Sequence, residues 1–348
     1  MAHHNIPIFI PHMGCPNQCV FCNQRSISGC SGFSEADVPR LIDEALATIP
    51  NESETEIAFF GGSFTGIDRG LMIRLLDMAE GYVRAGRVTS IRLSTRPDYI
   101  SKDILEILLR YSVRTIELGL QSMDDDVLYA TRRGHTAKQA EDACRAVVEA
   151  GFDLVGQMMI GLPMGTLENE IKTAKKICEM GAVAARIYPT VVFYDTPLSE
   201  LTQTGLYQPL SVEKAVERSA SVLEIFEELG VPCIRIGLCA TEALASPQTV
   251  MAGPNHAALG ELVWNEYYYR TLVRALARER LCGEQIVLHV PEKKISKVVG
   301  QHRKNLVRLS DETGTLVHRI VKEKNADRIR AELWQGDGRV AGGKQPCI

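Results

Sequence analysis

Six short apolar runs alternating with stretches of helical spacing constrain this chain more than any other feature. The runs are Ile6–Ile10, Ile57–Phe60, Ser90–Leu93, Val113–Leu118, Leu154–Ile160 and Ala184–Tyr188. Helical spacing falls between them at Ala36–Thr48, Leu71–Arg84, Ile104–Tyr111, Ala137–Ala150 and Leu167–Met180. Such alternation predicts an α/β fold with a parallel sheet. Six units are fewer than the eight of a closed barrel, so the expected form is an open six-stranded (β/α)6 three-quarter barrel. Polar and glycine residues gather at the strand ends, where parallel sheets place their sites, so Cys15, Gly62, Arg96, Gln121 and Gly161 are expected around one cavity.

Beyond the sixth run, the spacing predicts a helix at Leu210–Leu229, a strand at Val231–Ile236, an irregular stretch at Ala245–Gly260 and a long helix at Glu261–Arg280. The final segment reads as strand Gln285–Val290, helix Glu292–Val299, turn Gly300–Arg303, helix Lys304–Thr313 and strand Thr315–Val321. It differs in charge as well. From Leu281 onward there are 13 Lys and Arg against 8 Asp and Glu, whereas the first 280 residues carry 26 against 35. The expected domains are a partial barrel over 1–235, a helical extension over 236–280, a small basic domain over 281–335 and a flexible tail over 336–348. No apolar run approaches the roughly 18 residues of a membrane span, and Pro and His interrupt the first residues where a signal peptide needs a continuous apolar stretch. A cytoplasmic protein with no membrane partner is expected.

Three of the ten cysteines are clustered as Cys15-x3-Cys19-x2-Cys22, in a segment rich in Gly, Pro, Asn, Gln and Ser. In a reducing compartment that clustering points to metal. Pro16 and Asn17 are expected to bend the loop so that the three sulfurs converge. Spacing alone leaves two readings: structural zinc closed by a fourth ligand such as Cys30 or His12, or a [4Fe-4S] cluster with one iron left free.

With Phe21 before the last cysteine, this segment resembles the signature of the radical S-adenosylmethionine superfamily. Gly61-Gly62-Ser63 after a strand is similar to the glycine-rich element that meets the methionine amino group in such enzymes. The match extends through Ser94-Thr95-Arg96-Pro97-Asp98, Glu117-Leu118-Gly119-Leu120-Gln121-Ser122, Gly161-Leu162-Pro163, Ile187-Tyr188-Pro189-Thr190 and Thr196-Pro197-Leu198. In these the chain resembles the radical domain of elongator protein three, and oxygen-independent coproporphyrinogen oxidases share much of the pattern. The resemblance runs to Val263, taking in Ala252-Gly253-Pro254 and Gly260-Glu261-Leu262-Val263. Elongator protein three then continues into an acetyltransferase-type domain, and acetyl transfer from coenzyme A is not expected here.

The resemblance implies a [4Fe-4S] cluster on Cys15, Cys19 and Cys22. It implies S-adenosylmethionine bound by Phe21, Gly61, Gly62, Ser63, Ser94, Gln121, Arg133 and Gln157, and an external one-electron reductant such as flavodoxin or ferredoxin. Ser94 departs from the acidic residue that often stands there. Several of these residues have a plain structural reading too: Gln121 as a helix cap, Arg133 as half of an Arg-Arg pair on a solvated face, Gln157 as a polar residue in an apolar strand that must find a partner. Tyr188, Tyr194 and His256 are candidates for closing the cavity.

The basic segment looks like a KH domain, an RNA-binding module whose Gly-x-x-Gly loop grips about four nucleotides. Here the loop is Gly300-Gln301-His302-Arg303, with arginine in place of the second glycine, followed by Lys304 and, along the helix, Arg308. The expected function is a radical enzyme modifying RNA, with tRNA as first candidate and the basic segment holding it. The alternatives are a radical enzyme acting on a small metabolite or tetrapyrrole, and a non-catalytic cluster or haem carrier.

Overall fold

The computed structural model of the chain describes residues 3–11, 13–15, 19–23, 32–50, 53–239, 241–324 and 328–335. His12, Pro16, Asn17, Cys30 and the 336–348 segment lie outside the described residues. The chain divides into two compact units, Met1–Arg218 with Ile225–Ala257, and Ser219–Glu224 with Ala258–Ile348.

The larger unit follows the alternation in the sequence. In chain order it runs β1 (His3–Phe9), α1 (Val38–Leu46), β2 (Glu54–Phe60), α2 (Arg69–Arg84), β3 (Ser90–Thr95), α3 (Lys102–Leu108) and β4 (Val113–Gln121). It continues with α4 (Ala137–Glu149), β5 (Asp153–Ile160), α5 (Leu167–Glu179), β6 (Ala184–Pro189), α6 (Val212–Glu228) and β7 (Cys233–Ile236). All neighbouring pairs are parallel and the strand order is sequential, β1 to β7. The sheet therefore has seven strands, not six: β7, expected as a strand, joins β6 and extends the half-barrel by one unit.

Helix starts are fixed locally. Ser101 Oγ accepts from Ile104 N, Asp68 from Leu71 N, and Thr136 and Thr166 form capping boxes with Gln139 and Asn169. The helices cover the convex face of the sheet with side chains such as Leu75, Leu76, Ala140 and Ile177, all inaccessible to solvent. The stretch read as irregular holds one more ordered piece, the strand Val250–Ala252, which pairs antiparallel with Val192–Phe193. No described helix is long and apolar enough to cross a membrane.

The smaller unit begins with α7 (Leu259–Arg278), then β8 (Gln285–Pro291), α8 (Ile295–Val299), α9 (Lys304–Thr313), β9 (Leu316–Glu323) and β10 (Arg330–Leu333). Its sheet order is β9-β8-β10, with β9 parallel and β10 antiparallel to β8. Tyr269, Leu272 and Leu276 of α7 share one core with Ile286, Leu288 and Val290 of β8 and with Val298 and Leu309. The order strand, helix, turn, helix, strand matches the reading from sequence; β10 is an addition.

Candidate active site

The cysteine loop is anchored by backbone before any ligand is considered. Val20 N donates to Thr131 O at 3.1 Å, Leu198 N to Val20 O at 2.9 Å and Cys22 N to Cys19 O at 3.0 Å. Cys19, Val20 and Phe21 are buried in a small core with Val127, Leu162, Val192 and Leu198. On the other side the loop leans on the end of β2. A side chain at Gly62 would strike the carbonyl oxygens of Met13 and of Ile10, the latter at 2.6 Å, so the chain needs glycine there for its own packing. Gly14, at φ +74°, is hemmed in by Ser63 and Gly66 in the same way.

Two arginines bring positive charge to the thiols. Arg133 Nη1 lies 3.4 Å and Arg96 Nη1 3.8 Å from Cys19 Sγ. Each is held by a separate partner: Arg133 Nη2 donates to Gly119 O at 2.6 Å, while Arg96 spans both carboxylate oxygens of Asp98 at 2.9 and 3.0 Å. Arg96 also donates to the Arg133 carbonyl. Burial pushes the Cys15 thiol up, opposed by the charges of Arg96 and Arg133. His135, wholly buried near Asp98, is pushed down to about 3 by burial and by Arg133, and so adds no charge at neutral pH. Among the described residues no three His, Cys, Asp or Glu side chains gather tightly enough for a single metal ion. Cys19 and Cys15 beside two fixed guanidiniums, with Cys22 on the adjoining cavity wall, suit an anionic iron–sulfur cluster, whose separate irons take thiolates standing farther apart.

Beside the loop, on the concave face of the sheet, is a cavity of about 500 Å³ with lining from all seven strands. Phe21, Cys22, Gly61, Gly62, Ser94, Gln121 and Gln157 all face it. Gln121 sits at φ +67° and its buried Oε1 has no partner among the described residues, so it is not spent on capping a helix. Arg133 is 6% exposed, which removes the solvated-face reading; its Nε is likewise unpartnered among the described residues. Orphaned polar atoms of this kind suit a polar cofactor. Ser63 is turned away: it is fully buried, with its hydroxyl 2.8 Å from Thr95 Oγ1 and accepting from Arg96 N at 3.3 Å. Of the five residues expected around one cavity, Gly62 and Gln121 line it, while Cys15 and Arg96 lie with the thiols and Gly161 packs on Leu210. Tyr188 lines the cavity; Tyr194 and His256 are exposed.

Sequence reasoning passed over the charges inside the sheet. Glu117, fully buried, accepts from Arg92 Nη1 at 3.0 Å, Arg186 Nη2 at 2.8 Å and Gln157 Nε2 at 2.7 Å. Arg92 reaches on to Glu56 at 2.8 Å. Gln157 has thereby found the partner it needed. The signal was present: a charge in the middle of each of the apolar strands β3, β4 and β6 demands a partner across the sheet.

In the smaller unit, Gly300 has φ +77°, and His302 and Arg303 follow at φ +52° and +62°, so two consecutive non-glycine residues are left-handed. Gln301 is half-buried, and His302, Arg303 and Lys304 are exposed. Asn305 Nδ2 ties the turn inward by donating to Asn265 O at 2.8 Å and Val298 O at 3.1 Å. Arg308 is engaged elsewhere, at 2.6 Å from Glu266, 2.7 Å from Glu312 and stacked 3.9 Å over the ring of Tyr269.

Comparison with known proteins bears on this arrangement. The family model of the radical SAM superfamily matches residues 9–177, and that of a radical SAM C-terminal domain matches residues 183–269. Elongator complex protein 3 of Dictyostelium discoideum is 30% identical over 204 residues, 53% of this chain and 36% of that protein. The protein of the same name from Saccharomyces cerevisiae is 33% identical over 142 residues, 40% of this chain and 26% of its own. The chain thus spans well under half the length of these relatives. An uncharacterised protein of Methanocaldococcus jannaschii is 27% identical over 232 residues, 63% of this chain and 70% of its own length. Among solved structures, the archaeal Elp3 of Methanocaldococcus infernus, lacking its N-terminus, shares the fold at a TM-score of 0.61 and 18% identity, over 78% of this chain and 64% of that one.

Proposed function

Because the chain belongs to the radical SAM superfamily, we propose that it is an enzyme that reductively cleaves S-adenosylmethionine and uses the radical so formed to modify RNA, with tRNA the first candidate. The observation that carries the first half is the Cys19 thiol under two anchored guanidiniums, next to a cavity lined by Gly61, Gly62, Gln121 and Gln157. Cys15, Cys19 and Cys22 are the ligands for a [4Fe-4S] cluster, and S-adenosylmethionine fits against Gly62, Ser94, Gln121 and Gln157. Such a cluster, when bound, delivers one electron from a small reductant such as flavodoxin or ferredoxin to the sulfonium of the cofactor. The protein's part is steric and electrostatic. Arg96 and Arg133 hold thiolate charge, Phe21 and its apolar neighbours keep water from the Cys19 thiol, and the curled sheet encloses the radical.

The RNA half rests on the smaller unit. Exposed Arg303 and Lys304 stand at a turn between two helices, in a strand-helix-turn-helix-strand order that supports the KH-like reading. Arg308 has two carboxylate partners and a stacked ring, so a phosphate would have to displace them. If Arg303 and Lys304 each neutralise one phosphate of single-stranded RNA, replacing both by Ala lowers the slope of log affinity against log salt by about 1.4. Arg303→Gly removes one charge and one left-handed side chain, which relieves about 1 kcal/mol of backbone strain; it should raise the melting temperature and let the backbone approach phosphate. A wild-type protein with no salt-dependent binding to tRNA at low ionic strength removes RNA from the proposal and leaves a small-molecule substrate.

A further inference from the structure

Among the described residues, the charged side chains of the sheet pair off with one exception. Glu56 and Glu117 are held by Arg92 and Arg186, and Glu54 and Asp153 by Arg114, which leaves the Arg235 guanidinium of β7 outside any ion pair. Arg235 is half-buried and lines the cavity, and its guanidinium has no hydrogen-bond or ion-pair partner among the described residues. Its register partner on the neighbouring parallel strand is Arg186. Like charges directly opposite each other on adjacent strands repel, and a low-dielectric wall strengthens the repulsion. Arg186 is 9% exposed, and although one of its nitrogens reaches Glu117, its buried Nε has no partner among the described residues. The third group here is Tyr188, two residues along β6 and facing the same cavity. Desolvation pushes its phenol up, so it remains a protonated donor. Two guanidiniums and a phenol form a set rich in donors, where the cost of burial is offset only by an acceptor carrying negative charge.

We propose that Arg186 and Arg235, with Tyr188, bind an oxyanion, a carboxylate or a phosphate, of a small-molecule co-substrate that enters the half-barrel in addition to the RNA. This rests on the reading of the cavity as the place of the radical reaction, and it names the class of molecule that enters it. The cysteine loop and Gly62 follow β1 and β2, whereas this pair stands on β6 and β7, at the far edge of the sheet order. Substrate and cofactor thus have separate anchoring points in one cavity.

The test uses the full chain without cluster or cofactor, so it is independent of radical chemistry. Thermal unfolding is followed in sodium acetate, in inorganic phosphate and in chloride at matched ionic strength. Acetate or phosphate should raise the melting temperature, by roughly 3 °C at ten times the dissociation constant; which of the two acts identifies the oxyanion. Arg235→Met removes the repulsion as well as the ligand, so it should melt no lower than wild type in chloride and show no response to either anion. Arg235→Lys keeps the charge and should keep a weaker response. The proposal is overturned if neither anion acts on wild type, if Arg235→Met still responds, or if Arg235→Met melts clearly lower in chloride, which would make Arg235 a structural residue. It is also overturned if only S-adenosylmethionine, or only RNA, gives an Arg235-dependent shift.

Discussion

Cys19→Ala should yield a folded protein that takes up no iron–sulfur cluster on anaerobic reconstitution. The loop does not depend on the thiol for its shape, because Val20, Cys22 and Leu198 fix it through backbone hydrogen bonds and Val20 and Phe21 fill a local core. The two guanidiniums above the sulfur also survive its removal, each retaining its own partner in Gly119 O or Asp98. What disappears is one of three ligands, and a cluster held by two thiolates is not retained. Iron and sulfide per chain, with the visible absorbance, measure the effect. Cys178→Ala, on α5 and outside the loop, should reconstitute like wild type. Full iron content in Cys19→Ala would mean that the cluster is held by other residues.

Glu117→Ala should be the most destabilising substitution in the sheet, by about 3–5 kcal/mol in urea unfolding, because it strands buried charge rather than merely deleting a contact. Arg186 loses its only ion pair among the described residues, and Gln157 loses its 2.7 Å acceptor. Arg92 keeps Glu56, so the larger loss falls on Arg186. Since whole domains are stable by only about 5–15 kcal/mol, the change should be visible at once in the unfolding midpoint. Acid should act on the same network. Burial would raise the Glu56 carboxyl, but Arg92, Ser90 and His3 outweigh it and hold it below the usual 4.5. A depressed carboxyl stabilises the fold fully above its unfolded value, and that share is lost as pH falls from about 4.5 through the lower folded value. A loss of less than 1 kcal/mol in Glu117→Ala would show that the network is hydrated.

The alternation of strands and helices was legible because most strands centre on a buried apolar run and most helices of the larger unit carry their own cap, such as Ser101 or the Thr136 box. The seventh strand could be read as a strand, but not as part of the sheet. At four residues, half-exposed, Cys233–Ile236 shows no apolar periodicity strong enough to say where it pairs. The cysteines stood out as candidates by their spacing, whereas Gly61, Gly62, Gln121 and Gln157 came as candidates from the family resemblance. Ser63, in the same motif, turns its hydroxyl into the interior toward Thr95, a choice of side-chain direction that spacing does not encode. Arg92, Glu117 and Arg186 are charges in apolar strands that the sequence reading passed over, because their partners come from other strands and only register brings them together. The left-handed Arg303 was hidden for a different reason: arginine is not a residue that announces positive φ, and the turn imposes it.

The central claim is that this arrangement of thiols, arginines and cavity breaks S-adenosylmethionine reductively. The direct measurement is deoxyadenosine formed by the reconstituted, dithionite-reduced protein with S-adenosylmethionine under anaerobic conditions, quantified by chromatography beside the Cys19→Ala variant. The account predicts deoxyadenosine and methionine in equal amounts, slowly without substrate, and none from the variant. A fully reconstituted wild-type protein that forms no deoxyadenosine, with or without tRNA, would contradict it and leave a cluster carrier in its place.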